Sequence, residues 1–273
     1  MNTEEISILR VMPDGTAREG ERRCLREHLL EVLVNEQLMY RLVCTAQYIK
    51  ELVYGRLFTD RIIGSPQDVK LFFTCKEQYN ATVLLDPELV MEETVDTELS
   101  CCSTNRRFRD YAGKRKLEPV PEHKVDPEKI FALTRLFQED GGLHGITSAV
   151  HKCILLYPDE KGEDKTFFCE DIGRHNALDK VVGHALLRGI PLQECYLFIS
   201  GRVPVDMVEK VAAAGIPVLA SKSLPTVDSI RMAEEYGITL ACCAWPDSFE
   251  LCGCRQNVRG LDIKTADWNK ERL

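Results

Sequence analysis

Apolar residues recur along this chain with two different periods, and those periods predict its elements. Leu29 to Val34 is largely apolar, ends at Asn35-Glu36-Gln37, and is followed by a second apolar run from Leu38 to Val43. Two such runs around a short polar turn read as a β-hairpin. Between Gln47 and Phe58 the apolar positions are Ile49, Leu52, Val53 and Leu57, which is helical spacing. Val69–Thr74 and Ala81–Leu85 read as further strands, so residues 23–125 form a small α+β unit. Residues 1–22 are polar, carry Gly15 and Gly20, and read as a tail or an edge element.

From residue 126 the rhythm changes. Asp126 and Pro127 open a helix with Ile130, Leu133, Leu136 and Phe137 on one face, stopped by Gly141. Cys153–Tyr157 and Thr166–Cys169 read as strands around a polar turn. Helix and strand then alternate: Asn176–Leu187, Tyr196–Ser200, Val205–Ala214, Val218–Ser221, Val227–Tyr236 and Ile238–Cys242. Gly189, Gly215 and Gly237 close the three helices. Such alternation predicts a mainly parallel sheet with helices on both faces, so residues 126–273 form an α/β domain.

Residues 86–125 fit neither pattern. They hold Pro87, Pro119 and Pro121 and few apolar positions, and read as a long loop or linker. Long irregular stretches in compact proteins are often functional. This one carries Cys101-Cys102 beside Arg106, Arg107, Arg109, Lys114, Arg115 and Lys116, against the single acid Asp110. Adjacent cations favour the reactive thiolate, so about 96–118 is a candidate mobile, sulfur-reactive loop.

Composition narrows the classes. The chain has 273 residues, enough for one or two domains at about 100–200 residues each. With 35 basic and 43 acidic residues the net charge is −8, which disfavours general nucleic-acid binding. No apolar run reaches the roughly 18 residues of a membrane helix, and the acidic N-terminus does not look like an export signal. The expected setting is the cytoplasm. There the twelve cysteines stay reduced rather than forming a disulfide scaffold. No two cysteines have C-x-x-C spacing, which argues against zinc ribbons and thioredoxin-type motifs. Cys242, Cys243, Cys252 and Cys254 remain a weak zinc candidate, although Cys242 reads better as a buried strand residue. No metal site is expected.

Residues that fit no core pattern fall at the ends of the predicted strands. Asp171, Arg174, Ser200, Gly201, Arg202, the run Ser221 to Thr226 with Pro225, and the run Cys243-Ala244-Trp245-Pro246-Asp247-Ser248 all do so, and Asp179 follows one turn into the next helix. In open parallel sheets the ligand crevice lies outside the carboxyl ends of the strands. Arginines and helix N-termini suit phosphate, and Asp171 and Asp179 suit sugar hydroxyls or a base edge. The competing reading is structural: Asp171 can simply cap the helix that follows it. His144, among glycines 141, 142 and 145, is weaker still by itself.

These segments together resemble one family. EDIGRHNALDKVVG at 170–183 resembles the signature of the formate dehydrogenase accessory sulfurtransferases (FdhD/NarQ). GGLHG at 141–145, SGRVPVDMVEK at 200–210, SKSLPT at 221–226 and the stretch from 32 to 63 resemble its other blocks, in order. The resemblance covers about residues 28–243. It implies a cytidine-deaminase-like, three-layer C-terminal domain and a homodimer. It also implies sulfur transfer from a cysteine desulfurase to the molybdenum bis-molybdopterin guanine dinucleotide of formate dehydrogenase, with GDP as a nucleotide mimic of that cofactor. It adds His144, His175, Asn176 and Lys180 to the expected contacts.

The family loop reads C-G-x-C-G, and here it is Cys101-Cys102-Ser103-Thr104-Asn105. Cys101 matches the persulfide-carrying position. Thr104 replaces the second cysteine, leaving Cys102 as its only nearby substitute. The 243–249 stretch also departs from the family pattern, although Trp245 can stack on a base. Two rival classes are a molybdopterin-binding chaperone without sulfur chemistry and a zinc deaminase. The second needs H-x-E or C-x-E followed by P-C-x-x-C. Only Cys75-Lys76-Glu77 matches any part of that pattern.

Overall fold

The computed structural model describes residues 3–89, 96–98, 115–139, 142–143, 147, 149–258 and 260–261. Cys101, Cys102, His144 and the arginines at 106, 107 and 109 lie outside the described residues.

The N-terminal part is built on a five-stranded sheet. Its strands are β3 (His28–Val34), β4 (Gln37–Cys44), β5 (Val69–Thr74), β6 (Asn80–Leu85) and β7 (Asp96–Glu98), in the order β5-β6-β3-β4-β7. The β3–β4 hairpin matches the sequence pattern. Its turn residues Asn35 and Glu36 both have positive φ, at 47° and 68°, as a two-residue hairpin turn requires. Asn35 Oδ1 also accepts from the Leu85 backbone N–H at 2.8 Å. Helix α1 (Ile49–Thr59) follows the hairpin.

Residues 1–22 are not a simple tail. Most of them form a hairpin of β1 (Thr3–Val11) and β2 (Ala17–Leu25), which pair, among the described residues, with each other alone around a turn at Gly15. Both strands are largely exposed, so no buried stripe marks them in the sequence. The 86–125 stretch likewise contains a strand, β7, which pairs in parallel with β4.

The C-terminal part holds a six-stranded sheet of β8 (His151–Pro158), β9 (Asp164–Asp171), β10 (Tyr196–Ile199), β11 (Val218–Ser221), β12 (Thr239–Cys242) and β13 (Glu250–Gly253). The order is β13-β12-β11-β10-β8-β9. β10, β11 and β12 are parallel, whereas β8 and β13 run against their neighbours. β9, antiparallel to β8, therefore shares the direction of β10–β12. Most strands run one way, as the sequence implies, but the pairing is mixed because β8 sits between β9 and β10.

Side chains alternate between the two faces. Leu155, Leu197, Leu219 and Leu240 enter one core with α3 (Arg174–Arg188), α4 (Val205–Ala214) and α5 (Val227–Glu235). Ile154, Phe198, Ala220 and Ala241 enter a second core against α2 (Pro127–Glu139). The result is three layers. The first core is continuous with the N-terminal sheet, because Leu30, Val32, Leu52 and Leu57 belong to it.

The joint between the two parts is a crossing of α1 and α3. A Cβ on Gly55 would lie 1.8 Å from the Asp179 carbonyl O, and one on Gly183 would lie 1.9 Å from the Glu51 carbonyl O. Only glycine lets the two backbones approach this closely. No helix among the described residues is long and apolar enough to cross a membrane.

Candidate functional site

Because β9, β10, β11 and β12 share a direction, Asp171, Ile199, Ser221 and Cys242 all end at one edge of the sheet. The loops beyond them form a continuous rim. Lys222 N–H donates to the Ile199 carbonyl, Thr226 N–H to that of Val203, and Ala244 N–H to that of Ser221. The sequence-predicted loops are thus brought together.

The 170–183 run divides by helical spacing. Asn176, Asp179, Lys180 and Gly183, at i, i+3, i+4 and i+7 of α3, face the N-terminal part. Asp171 is fully buried. Its carboxylate accepts from Thr45 N (3.0 Å), Gly173 N (2.9 Å) and Asn176 Nδ2 (3.0 Å) and pairs with Lys180 Nζ at 2.6 Å. Asn176 also donates to the Val43 carbonyl, and Lys180 to the Thr45 carbonyl and hydroxyl.

Asp179, equally buried, accepts from Thr59 Oγ1 (2.7 Å) and meets Lys210 Nζ at 2.9 Å. Lys210 and Arg56 in turn reach Asp60, at 3.4 and 2.8 Å. The two clusters each balance their formal charges: Asp171 with Lys180, and Asp60 and Asp179 with Arg56 and Lys210. Asp171, Asn176, Asp179 and Lys180 were expected to contact ligand. They are turned inward instead and tie the two parts of the protein together. Ser221 is also inward, its hydroxyl donating to the Gly201 carbonyl at 2.7 Å. Thr226 is the N-cap of α5, accepting from Ser229 N at 3.2 Å.

Other predicted residues stay at the rim. His175 Nε2 lies 2.8 Å from Asp206 Oδ2, and Arg174 Nη2 lies 3.9 Å from the same oxygen. Burial alone would raise the Asp206 carboxyl. The His175 hydrogen bond and charge, aided by Arg174 and the Met207 N–H, outweigh it and hold the carboxyl at about 2. Burial holds His175 below its ordinary value against the opposing pull of Asp206. Arg174 is buried, and its Nε has no hydrogen-bond partner among the described residues. A buried, unsatisfied guanidinium N–H calls for an acceptor, and phosphate supplies one in a matching geometry.

Ser200 closes the base of its loop, its hydroxyl accepting from Lys152 N at 3.0 Å. Gly201 leaves space where a Cβ would meet His151 Nδ1 at 3.1 Å. Arg202, Asp247 and Ser248 are exposed, Pro225, Pro246 and Cys243 are half-buried, and Ala244 is buried in the α2-side core. Trp245 is exposed, with Lys222 Nζ 5.0 Å from its ring centroid. Two rim residues escaped the sequence reading, His151 and Asp206, and Lys222 was read only as part of its loop. Asp206 stood within the quoted 200–210 block and Lys222 within 221–226. His151 reaches the rim only because β8 runs antiparallel to its neighbours.

The structure thus defines a three-sheet α/β protein whose polar loops meet at the strand ends of its six-stranded sheet. The FdhD/NarQ family profile matches residues 25–258, and the chain belongs to that family. It is 34% identical over 233 residues to the sulfur carrier protein FdhD of Bacillus subtilis, spanning 82% of this chain and 86% of that one. It is 33% identical over 235 residues to the protein of the same name from Halalkalibacterium halodurans, spanning 84% and 85%. The fold matches a solved structure of an assigned formate dehydrogenase accessory protein from Desulfotalea psychrophila. That match has a TM-score of 0.74 at 20% identity, covering 94% of this chain and all of the other.

Proposed function

We propose that this protein is a sulfur carrier for a formate dehydrogenase, acting as a cytoplasmic homodimer. Cys101 accepts sulfur from a cysteine desulfurase and delivers it to a molybdenum bis-guanine-dinucleotide cargo bound at the strand-end rim. In the first step the Cys101 thiolate attacks the outer sulfur of the desulfurase persulfide. The S–S bond breaks, the desulfurase departs as a thiolate, and Cys101 holds the persulfide. At the rim, the Arg174 guanidinium, 3.9 Å from Asp206, supplies positive charge for a phosphate of the cargo, His175 and Asp206 fix the neighbouring wall, and Trp245 offers a face for a base. The relatives named as sulfur carriers support this reading.

The observation that carries it is the direction of β7, the described strand that precedes Cys101 in the sequence. Glu98, three positions before Cys101, pairs with Leu42 in the β4–β7 register. Thr45, three positions beyond Leu42, binds the buried Asp171 carboxylate at the end of β9. β7 therefore points along β4 toward the end where Thr45 meets Asp171.

Incubation with a desulfurase and cysteine is expected to add one sulfur, about 32 Da, by intact mass. The adduct should survive Cys102→Ser and vanish in Cys101→Ser; its absence from both cysteines of the wild-type chain rejects the carrier role. For the rim, Arg174→Ala is expected to weaken GDP binding roughly tenfold by calorimetry, the value of one charged hydrogen bond. An unchanged affinity places the phosphates elsewhere.

A further inference from the structure

One pair of thiols lies outside the proposed sulfur path. Cys242 is the last residue of β12, and Cys252 lies on the antiparallel edge strand β13. In the register Cys242 faces Glu250 and Leu240 faces Cys252, so the two cysteines are diagonal neighbours. Both side chains turn to the same face of the sheet, where Cys242 is fully buried in the core and Cys252 packs half-exposed against it.

We propose that Cys242 and Cys252 form a redox-active dithiol that small-molecule disulfides oxidise to an internal disulfide. Cys252 is the attacking thiol and Cys242 the resolving one. The assignment follows from exposure: a soluble disulfide can reach half-exposed Cys252 but not Cys242 at 0% exposure. The electronic asymmetry agrees with it. The hydrogen bond from Cys242 lowers the Cys252 thiol to about 7, helped by Arg255 and opposed by burial and Glu250. The same contact, with burial and the nearby Cys243 and Glu250, pushes Cys242 up.

With glutathione disulfide as oxidant, the Cys252 thiolate attacks one sulfur and one glutathione leaves as its thiolate, which takes a proton. Cys242 then gives up its proton and attacks the Cys252 sulfur of the mixed disulfide. The second glutathione leaves and takes that proton. Two protein thiols are oxidised and one glutathione disulfide is reduced to two glutathiones.

Closure requires the edge strand to shift. Diagonal neighbours on adjacent strands lie about 7–8 Å apart, just beyond the span of an unstrained disulfide. β13 is a four-residue edge strand with no strand on its outer side among the described residues, and it ends at Gly253, where φ is +73°. It can move toward β12. The bond would pin both ends of the loop from Cys243 to Phe249, which contributes Trp245 to the rim.

The test is to treat the reduced full-length protein with glutathione disulfide, alkylate the remaining thiols and map the peptides. The expected product is a Cys242–Cys252 linked peptide that dithiothreitol removes. In Cys242→Ala, Cys252 should instead retain a stable glutathione adduct. In Cys252→Ser, Cys242 should stay reduced. The proposal is overturned if wild-type protein accumulates the glutathione adduct on Cys252 without the linked peptide. It is equally overturned if both thiols remain alkylatable while half-exposed Cys24 and Cys75 become glutathionylated.

Discussion

Replacing Gly183 by alanine is expected to destabilise the protein by at least about 3 kcal/mol, at the upper end of what overpacking normally costs. The reason is that the added methyl meets backbone. Its Cβ would lie 1.9 Å from the Glu51 carbonyl O and 2.9 Å from Gly55 N. No rotamer change relieves that clash, so α1 and α3 must separate. Their separation strains the polar contacts flanking the crossing, Thr59 to Asp179 and Asn176 to Val43. Gly55→Ala should behave alike, because its Cβ meets the Asp179 carbonyl at 1.8 Å. Gly20→Ala is the control, with nothing within 4 Å of the added atom. Urea denaturation reads the difference as a lower midpoint at similar slope. A Gly183→Ala midpoint equal to that of Gly20→Ala would mean that the helices do not cross this closely.

Lys210→Met is expected to cost roughly 3–5 kcal/mol, the usual penalty for removing one partner from a buried ion pair. Lys210 Nζ lies between Asp179, at 2.9 Å, and Asp60, at 3.4 Å, and all three side chains are at most 4% exposed. Without it, two buried carboxylates share Arg56, which reaches Asp60 at 2.8 Å but Asp179 only at 3.7 Å. Asp179→Asn leaves the complementary defect. The double variant Lys210→Met/Asp179→Asn restores the charge balance, so its loss should be smaller than the sum of the two single losses. Additive losses would show that the pair is not coupled.

Much of the C-terminal unit was legible because each helix ends at a glycine with a reason to be there. Gly189, Gly215 and Gly237 all have positive φ, at 67°, 71° and 75°, and each separates a 3.6-residue pattern from a buried strand. The position of β8 was not legible. Sequence order does not reveal that a strand inserts between β9 and β10, and that insertion carries His151 to the rim. β7 and β13 escaped notice for another reason: each is too short to show a period and exists through its partner, β4 or β12. The gathering of the loops at one end of the sheet followed from the strand-end rule. Which residues of 170–183 face it did not, because the partners that draw Asp171, Asp179 and Lys180 inward, Thr45 and Thr59, lie 120 or more positions earlier. Burial of an Asp–Lys pair is a tertiary fact, whereas the i, i+3, i+4, i+7 spacing was in the sequence and could have signalled one packed face.

The central claim is that this chain works through a cysteine that carries sulfur, not only as a holder of the cofactor. Thr104 in place of the family's second loop cysteine gives the holder reading its one point of support. Complementation separates the two. In cells lacking their own copy of the protein, the wild-type chain is expected to restore formate dehydrogenase activity. The Cys101→Ala/Cys102→Ala variant, expressed to the same level, should leave activity at the background of the deletion. Full activity with both cysteines replaced would contradict the account.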